Sequence, residues 1–186
     1  MSYVYNVGPR CKAGRARKRP IHFCVLHHTA GEGTVVGVVR VLNGKNLSYH
    51  DILKGGTVSN VYPHERVAYH AGHANEGSIG FSVASRGVAP SLPRHPREEY
   101  TGEAHGKRVR FLKLTEEEID AIDAHCRYLS ERYDIPLVLP QGPLCCLYPD
   151  AKSLVDYRGF IAHGHVTTRK IDPGPHLLEE LQKRWA

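Results

Sequence analysis

Residues 21–27 have the sequence IHFCVLH, a short apolar run that ends beside a second histidine, His28. A run of this length and composition predicts a buried strand. Successive side chains of a strand point to opposite faces, so His27 shares a face with Phe23 and Val25, while His28 lies on the other face. The sequence therefore predicts a buried strand that leads directly into a polar turn and delivers an imidazole there.

Apolar periodicity predicts further short strands at residues 49–53, 58–62, 79–83 and 159–162. Gly55 and Gly56 lie between the first two of these and favour a hairpin turn. Residues 34–42 are ambiguous. Their valines favour a strand, but Val35, Val39 and Leu42 also fit one helical stripe. Both alternatives stay open for this segment.

Two helices are predicted in the second half of the chain. Thr115 and Glu118 have the spacing of a capping box, and the apolar residues that follow repeat every three or four positions up to residue 133. Pro175 is expected to begin a final helix. The remaining long segments are rich in Pro, Gly and charged residues and are predicted to be surface loops, at residues 84–112 and 139–158.

A chain of 186 residues is the size of one domain with a single core. The order of strands and helices predicts an α/β fold, with a central mixed β-sheet flanked by helices. We divide the chain into a basic N-terminal extension, residues 1–20, and a folded domain, residues 21–186.

The extension contains six basic residues and no acidic one, so the net charge of +6 belongs entirely to it, and residues 21–186 are formally neutral. Such a segment could contact an anionic cell-wall polymer, a lipid surface or nucleic acid, or it could be a solvated tail. Nucleic acid is the least favoured partner, because a binding face would be expected within the folded domain.

Cysteine content and hydropathy exclude several classes of protein. Five cysteines, two of them adjacent, do not predict a disulfide framework or a structural zinc cluster. No apolar run is long enough to span a bilayer, and the N-terminus does not resemble a secretory signal. We therefore expect synthesis in the cytoplasm without a signal peptide, with any exit by another route.

The thirteen histidines point to metal or acid–base chemistry. One histidine pair, His27 and His28, follows the predicted strand at residues 21–27. Another pair, His163 and His165, precedes a rigid Asp-Pro-Gly turn that begins at Asp172. A catalytic zinc needs three protein ligands and an open position, and strand ends with their adjoining loops can bring such ligands together.

Six segments in order resemble the zinc-dependent N-acetylmuramoyl-L-alanine amidases, the family that includes phage lysozyme-type amidases and peptidoglycan recognition proteins. The resemblance spans residues 21–186 and rests on HHTAG at 27–31, SYH at 48–50, AYHAG at 68–72, the segment from Asn75 to Gly80, the helix at 115–133, and RKIDPG at 169–174. It implies a peptidoglycan recognition protein-like fold, Zn²⁺ as cofactor and peptidoglycan as substrate.

The resemblance implies His27 as the first zinc ligand and Asp172 as the third. The second ligand maps to His163 when Val166 is kept in register, whereas alignment on the preceding glycine would choose His165. The implied reaction is hydrolysis of the amide bond between N-acetylmuramic acid and L-alanine of the stem peptide.

Many family members have a glutamate at the position that Ser82 occupies here. This chain therefore resembles the phage type, in which a tyrosine and a lysine act at the metal, and these map to Tyr49 and Lys170. Lys170 and Asp172 would project to the same side of an extended segment. The lysine would stabilise the anionic intermediate, and Tyr49 would orient or relay a proton.

Three further residues match the family's segments and are candidates for substrate contact: His50, His70 and Asn75. For both histidines, structural packing is the alternative. The resemblance favours a lytic, endolysin-like enzyme with antimicrobial action. A recognition module that binds peptidoglycan without cutting it is the other possibility, but such modules usually lack a zinc ligand, and here all three positions are filled.

Overall fold

The computed structural model describes residues 4–88 and 96–186. The strands are β1 (Val4–Val7), β2 (Gly14–Ala16), β3 (Phe23–His28), β4 (Asp51–Lys54), β5 (Thr57–Asn60), β6 (Arg66–Ala68), β7 (Ser78–Val83), β8 (Glu99–Ala104), β9 (Lys107–Leu112) and β10 (Gly159–Ala162). The α-helices are α1 (Val35–Gly44), α2 (Glu116–Tyr133) and α3 (Pro175–Trp185).

Six strands form the central sheet, in the spatial order β1, β5, β4, β7, β3, β10. Strands β4, β7, β3 and β10 run parallel to one another, β5 runs antiparallel to β4, and β1 pairs in parallel with β5 at one edge. This mixed sheet with its helices confirms the predicted α/β class. It also places the carboxyl ends of β3, β7 and β10 at one edge of the sheet.

The alternation of side chains along β3 builds a core on each face of the sheet. Cys24 and Leu26 pack in the same cluster as Ile122 of α2 and Leu181 of α3. Phe23 and its neighbours at odd positions pack on the opposite face, with side chains from β10. His27 follows Phe23 and Val25 on this face of β3, and its ring is therefore buried in the interior.

The predicted helices are confirmed, and the ambiguous segment at 34–42 is helical. Thr34 caps α1, because its Oγ1 accepts a hydrogen bond from the Gly37 amide at 3.2 Å. A capping box begins α2: the Thr115 hydroxyl accepts a hydrogen bond from the Glu118 amide, and the Glu118 carboxylate accepts one from the Thr115 amide. The hairpin turn at Gly55 and Gly56 also forms, and both glycines have positive φ.

The prediction of a continuous loop over residues 84–112 is wrong, although part of that segment, residues 89–95, lies outside the described residues. Strands β8 and β9 form an antiparallel hairpin with its turn at His105 and Gly106, both at positive φ. The hairpin is a two-stranded sheet of its own and exposes most of its charged side chains. Its inner face packs Tyr100, Val109 and Phe111 against the core, but Gly102 and Lys107 interrupt the apolar alternation on that face.

Residues 4–20 of the basic extension are packed onto the sheet and are not a solvated tail. β1 pairs with β5, β2 pairs with β6, and Cys11 and Ala13 are buried. The sequence did not indicate these strands because their pairing partners lie about fifty residues further along the chain. Within the described residues, no helix combines the length and the apolar character needed to cross a membrane.

Candidate metal centre

Two histidines meet at the carboxyl edge of the sheet because their strands are parallel neighbours. Ala162 at the end of β10 pairs with Leu26 of β3. The next residue along each strand is therefore His163 beside His27, and their Nδ1 atoms lie 3.1 Å apart. Both side chains are buried, which removes them from bulk water.

Asp172 completes a triangle with these two nitrogens. Its Oδ2 lies 3.0 Å from Nδ1 of His27 and 3.2 Å from Nδ1 of His163. Around a tetrahedral zinc with bonds of about 2.0–2.2 Å, neighbouring ligand atoms lie about 3.3–3.6 Å apart. The donors are slightly closer than this and have the chemistry of a metal site, and they are the one such group of three found in the described part of the chain.

The protonation states also suit a metal. Burial, reinforced by His163, lowers the pKa of His27 to about 4, so this imidazole is neutral at pH 7. Burial raises the pKa of Asp172, but hydrogen bonds from His163 and His27 outweigh this effect and hold the pKa well below its ordinary value. A neutral imidazole and a carboxylate are the forms in which these residues bind zinc.

His70 lies behind the first histidine and contacts the ring nitrogen that faces away from the centre. Its Nδ1 is 3.0 Å from Nε2 of His27, and its own Nε2 is 3.3 Å from Oγ of Ser78. A Cβ on Gly80 would come within 2.6 Å of the His70 ring, so this glycine makes room for it. His70 therefore fixes how the His27 ring is turned.

Asn75 acts on the backbone of the same segment. Its Oδ1 accepts hydrogen bonds from the amides of His70 at 3.1 Å and Ala71 at 2.6 Å. In this structure Asn75 thus holds the turn that carries His70. Its role in contacting substrate stays a prediction.

His165, the rival second ligand, is turned away from the centre. Its Nδ1 accepts a hydrogen bond from the Ala162 amide at 3.1 Å, and its carbonyl accepts from the amides of Leu147 and Tyr148. Burial lowers its pKa to about 4. His165 therefore supports the 3₁₀ turn after β10 and the segment at 147–148.

A cleft opens over the metal centre, formed by two adjoining pockets of about 470 and 580 Å³. Tyr49, His163, Arg169 and Lys170 line both pockets. The Tyr49 ring centroid is 4.9 Å from that of His27, and burial raises the tyrosine pKa, so its hydroxyl stays protonated. The structure thus brings both predicted catalytic residues to the cleft.

His50, a predicted substrate contact, does not line the cleft. It is fully buried, its Nδ1 accepts from the Gly80 amide at 2.8 Å, and its Nε2 is 3.0 Å from the Arg66 carbonyl. With both ring nitrogens engaged inside the protein, His50 has a packing role, the alternative that the sequence left open.

His105 was not predicted to have any role. Its Nε2 is 2.7 Å from the carbonyl oxygen of Lys170, and its amide donates to the Leu144 carbonyl at 2.8 Å. The β8–β9 hairpin thereby braces the turn that carries Lys170 and Asp172. The sequence signal for this role was the hairpin turn itself, because His105 and Gly106 lie between two strands of equal length.

Comparison with protein-family models matches residues 17–175 to N-acetylmuramoyl-L-alanine amidase. That match covers most of the chain and includes all three members of the metal centre. The chain belongs to this amidase family. Comparison with curated proteins found no match to the amidase sequence.

Solved structures share the fold of this amidase at low identity. The N-acetylmuramoyl-L-alanine amidase LysC from Clostridium intestinale URNW is 16% identical, with a TM-score of 0.64 over 99% of this chain and 97% of that one. AmiD from E. coli, solved with the substrate anhydro-N-acetylmuramic acid-L-Ala-D-gamma-Glu-L-Lys, is 22% identical, with a TM-score of 0.56 over 92% and 61%. Drosophila peptidoglycan recognition protein SD is 17% identical, with a TM-score of 0.54 over 97% and 91%.

Proposed function

We propose that this amidase is a zinc-dependent hydrolase that cleaves the bond between the lactyl group of N-acetylmuramic acid and L-alanine of the stem peptide. The observation that carries the proposal is the triangle of His27, His163 and Asp172 at the base of an open cleft. Two neutral imidazoles and one carboxylate would leave the bound metal with a net charge of +1. When bound, zinc lowers the pKa of water from about 15.7 to about 7 and polarises the scissile carbonyl.

Lys170 supplies the positive charge that the reaction needs beside the metal. It is exposed, it lines both halves of the cleft, and it lies two residues before Asp172. An ammonium group at this position stabilises the oxyanion as negative charge develops on the carbonyl oxygen. Its attachment to the braced turn holds the charge close to the reacting bond.

Tyr49 supplies a protonated hydroxyl in the same cleft. Since burial raises the tyrosine pKa, this group donates a hydrogen bond more readily than it removes a proton. Tyr49 therefore orients the attacking water or passes a proton to the departing amine. Ser82, which pairs with His27 in the sheet register, has no carboxylate to act as a base.

Peptidoglycan recognition without cleavage is the second candidate function. The presence of all three metal-binding side chains argues against it. We place the action of the enzyme on the bacterial cell wall, in the manner of an endolysin. The charge of the basic extension supports an additional contact with an anionic polymer of the wall.

Digestion of purified sacculi tests the proposed reaction. The zinc-loaded protein should release new L-alanine amino groups without new reducing sugar ends, and removal of zinc by a chelator should stop the release until zinc is restored. New reducing ends without amino groups would identify a glycosidase and refute the proposal. Binding of sacculi with no product of either kind would instead favour the recognition module.

A further inference from the structure

A separate pocket of about 320 Å³ lies where the basic extension meets residues 151–155. One wall is cationic and consists of Arg15, Lys18 and Arg19, with the imidazole of His22 beside them. Val155, which is 52% exposed, contributes apolar surface to the same pocket. We call this the extension pocket. None of its lining residues belongs to the metal triangle or to the catalytic pair.

The charges of the extension pocket are only partly compensated. Glu76 is its one carboxylate, and it accepts hydrogen bonds from the backbone amides of Lys18 and Arg19 and pairs with the guanidinium of Arg15. Across residues 4–88 and 96–186, no carboxylate pairs with the side chain of Lys18 or Arg19. Two exposed cations thus remain at the mouth of the pocket.

Arg17 holds this cationic wall in a fixed position. Its guanidinium donates to the carbonyls of His64 at 3.2 Å, Arg66 at 2.9 Å and Ser78 at 3.0 Å. The backbone just before it, β2, is paired with β6. Lys18 and Arg19 therefore extend from a backbone segment that is anchored to the domain before a ligand binds.

The extension pocket adjoins the catalytic cleft at a single shared residue. His73 lines both, and its Nε2 lies 3.0 Å from the carbonyl oxygen of Tyr148. A polymer attached to the glycan that occupies the cleft could therefore continue past His73 into the extension pocket without leaving the protein surface.

We propose that the extension pocket binds phosphodiester groups of an anionic polymer attached to the cell wall. The inference rests on the proposed function for the choice of polymer, but the site is separate from the catalytic residues. Lys18 binds phosphate as a point charge and Arg19 as a planar donor. The apolar surface at Val155 packs against the carbon backbone between successive phosphates.

The same observations disfavour nucleic acid as the ligand. Single strands bind where exposed aromatic rings stack on the bases, and the aromatic residue of this pocket, Phe23, is only 2% exposed. Duplexes bind along extended basic faces, and residues 21–186 are formally neutral. A short pocket with two free cations instead fits a flexible polymer with closely spaced phosphates.

Binding of the 186-residue protein to soluble poly(glycerol phosphate), measured at several salt concentrations, tests this site. The double variant Lys18→Gln/Arg19→Gln should bind about ten-fold more weakly at low salt, and the slope of log Kd against log salt should fall by about 2, one for each lost contact. The matched control is Lys107→Gln/Arg108→Gln, which removes the same two charges from the exposed strand β9. It should bind like the unmodified protein.

Equal weakening in both double variants would show attraction by net charge alone and overturn the site, and so would unchanged binding in both. Tighter binding of a single-stranded oligonucleotide with the same number of phosphates would overturn the choice of polymer. Hydrolysis of a soluble muramyl peptide, which carries no phosphate, should be the same in all three proteins. Absence of that hydrolysis in the unmodified protein would refute the amidase activity and leave the binding result standing.

Discussion

The Nε2 atom of His105 lies 2.7 Å from the carbonyl oxygen of Lys170, which joins the tip of an exposed hairpin to the turn beside the metal centre. The bridge between Ala104 and Leu144 holds the same tip from another side. The hairpin thus braces a turn that lies more than sixty residues away in sequence and carries both Asp172 and Lys170.

Replacing His105 by Ala should lower turnover about five-fold, because one hydrogen bond of about 1 kcal/mol no longer fixes the turn. His105→Gln retains an N–H donor and should recover most of the loss in kcat, with little change in KM. Lys107→Ala, on the same hairpin, serves as the control and should behave like the unmodified enzyme. Equal turnover in His105→Ala and the control would remove the bracing role.

Replacing His70 by Phe should weaken zinc binding about 10- to 100-fold, because the Nε2 atom of His27 loses its partner. Competition with a chromogenic chelator measures this affinity. The matched control is His73→Phe, which changes an exposed histidine of the same cleft. If His70→Phe holds zinc as tightly as the control, His70 does not orient the ligand.

Zinc occupancy should separate His163 from His165. His163→Ala removes a corner of the donor triangle and should abolish stoichiometric zinc binding. His165→Ala should keep the metal and instead lose stability, since the Ala162 amide loses its acceptor inside the protein. Metal analysis together with thermal unfolding distinguishes the two. Zinc lost only from His165→Ala would shift the ligand assignment by two residues.

Lys170→Ala should reduce kcat about 10²- to 10³-fold, the usual effect of removing one stabiliser of a developing oxyanion, while zinc stays bound. Arg169→Ala is the control for charge, because Arg169 lines the same cleft one residue earlier. The rate of amino-group release from a muramyl peptide is the measurement. Similar losses in both variants would indicate general electrostatics of the cleft and no specific role for Lys170.

Glu118 should make the stability of the protein sensitive to acid. Burial raises its pKa, but two hydrogen bonds from Arg97 and one from the Thr115 amide outweigh this, and the pKa is lowered overall. A carboxyl with a lowered folded-state pKa stabilises the fold above its unfolded pKa and loses that contribution as pH falls through the folded value.

Glu118→Gln should therefore cost about 1–2 kcal/mol at pH 7 and flatten the decline of stability below the ordinary pKa of 4.5. Urea unfolding at pH 7 and at acidic pH values measures both effects. Glu117→Gln, at an exposed neighbouring position, should change neither. A decline that is equally steep in Glu118→Gln would assign the acid sensitivity to other groups.

Local chemistry in the sequence was enough to predict the elements that carry their own signals. The capping box at Thr115 and the apolar stripe of α2 depend on residues within one or two turns, and the alternation in β3 depends on neighbours two positions apart. The two histidine segments and the Asp-Pro-Gly turn suggested metal chemistry, but the family resemblance was needed to assign His27 and Asp172 as donors.

Strand pairing and ring orientation were decided only by the tertiary structure. β1 and β2 find partners about fifty residues away, and glycine and charged residues interrupt the apolar alternation of the β8–β9 hairpin, so neither is visible in a local pattern. Sequence spacing left His163 and His165 as rivals, because both follow the same strand. The parallel register of β10 on β3 places His163 beside His27. The 3₁₀ turn directs His165 back to the Ala162 amide. An imidazole can bond only to the partners that the backbone brings within reach, and the sequence does not show which these are.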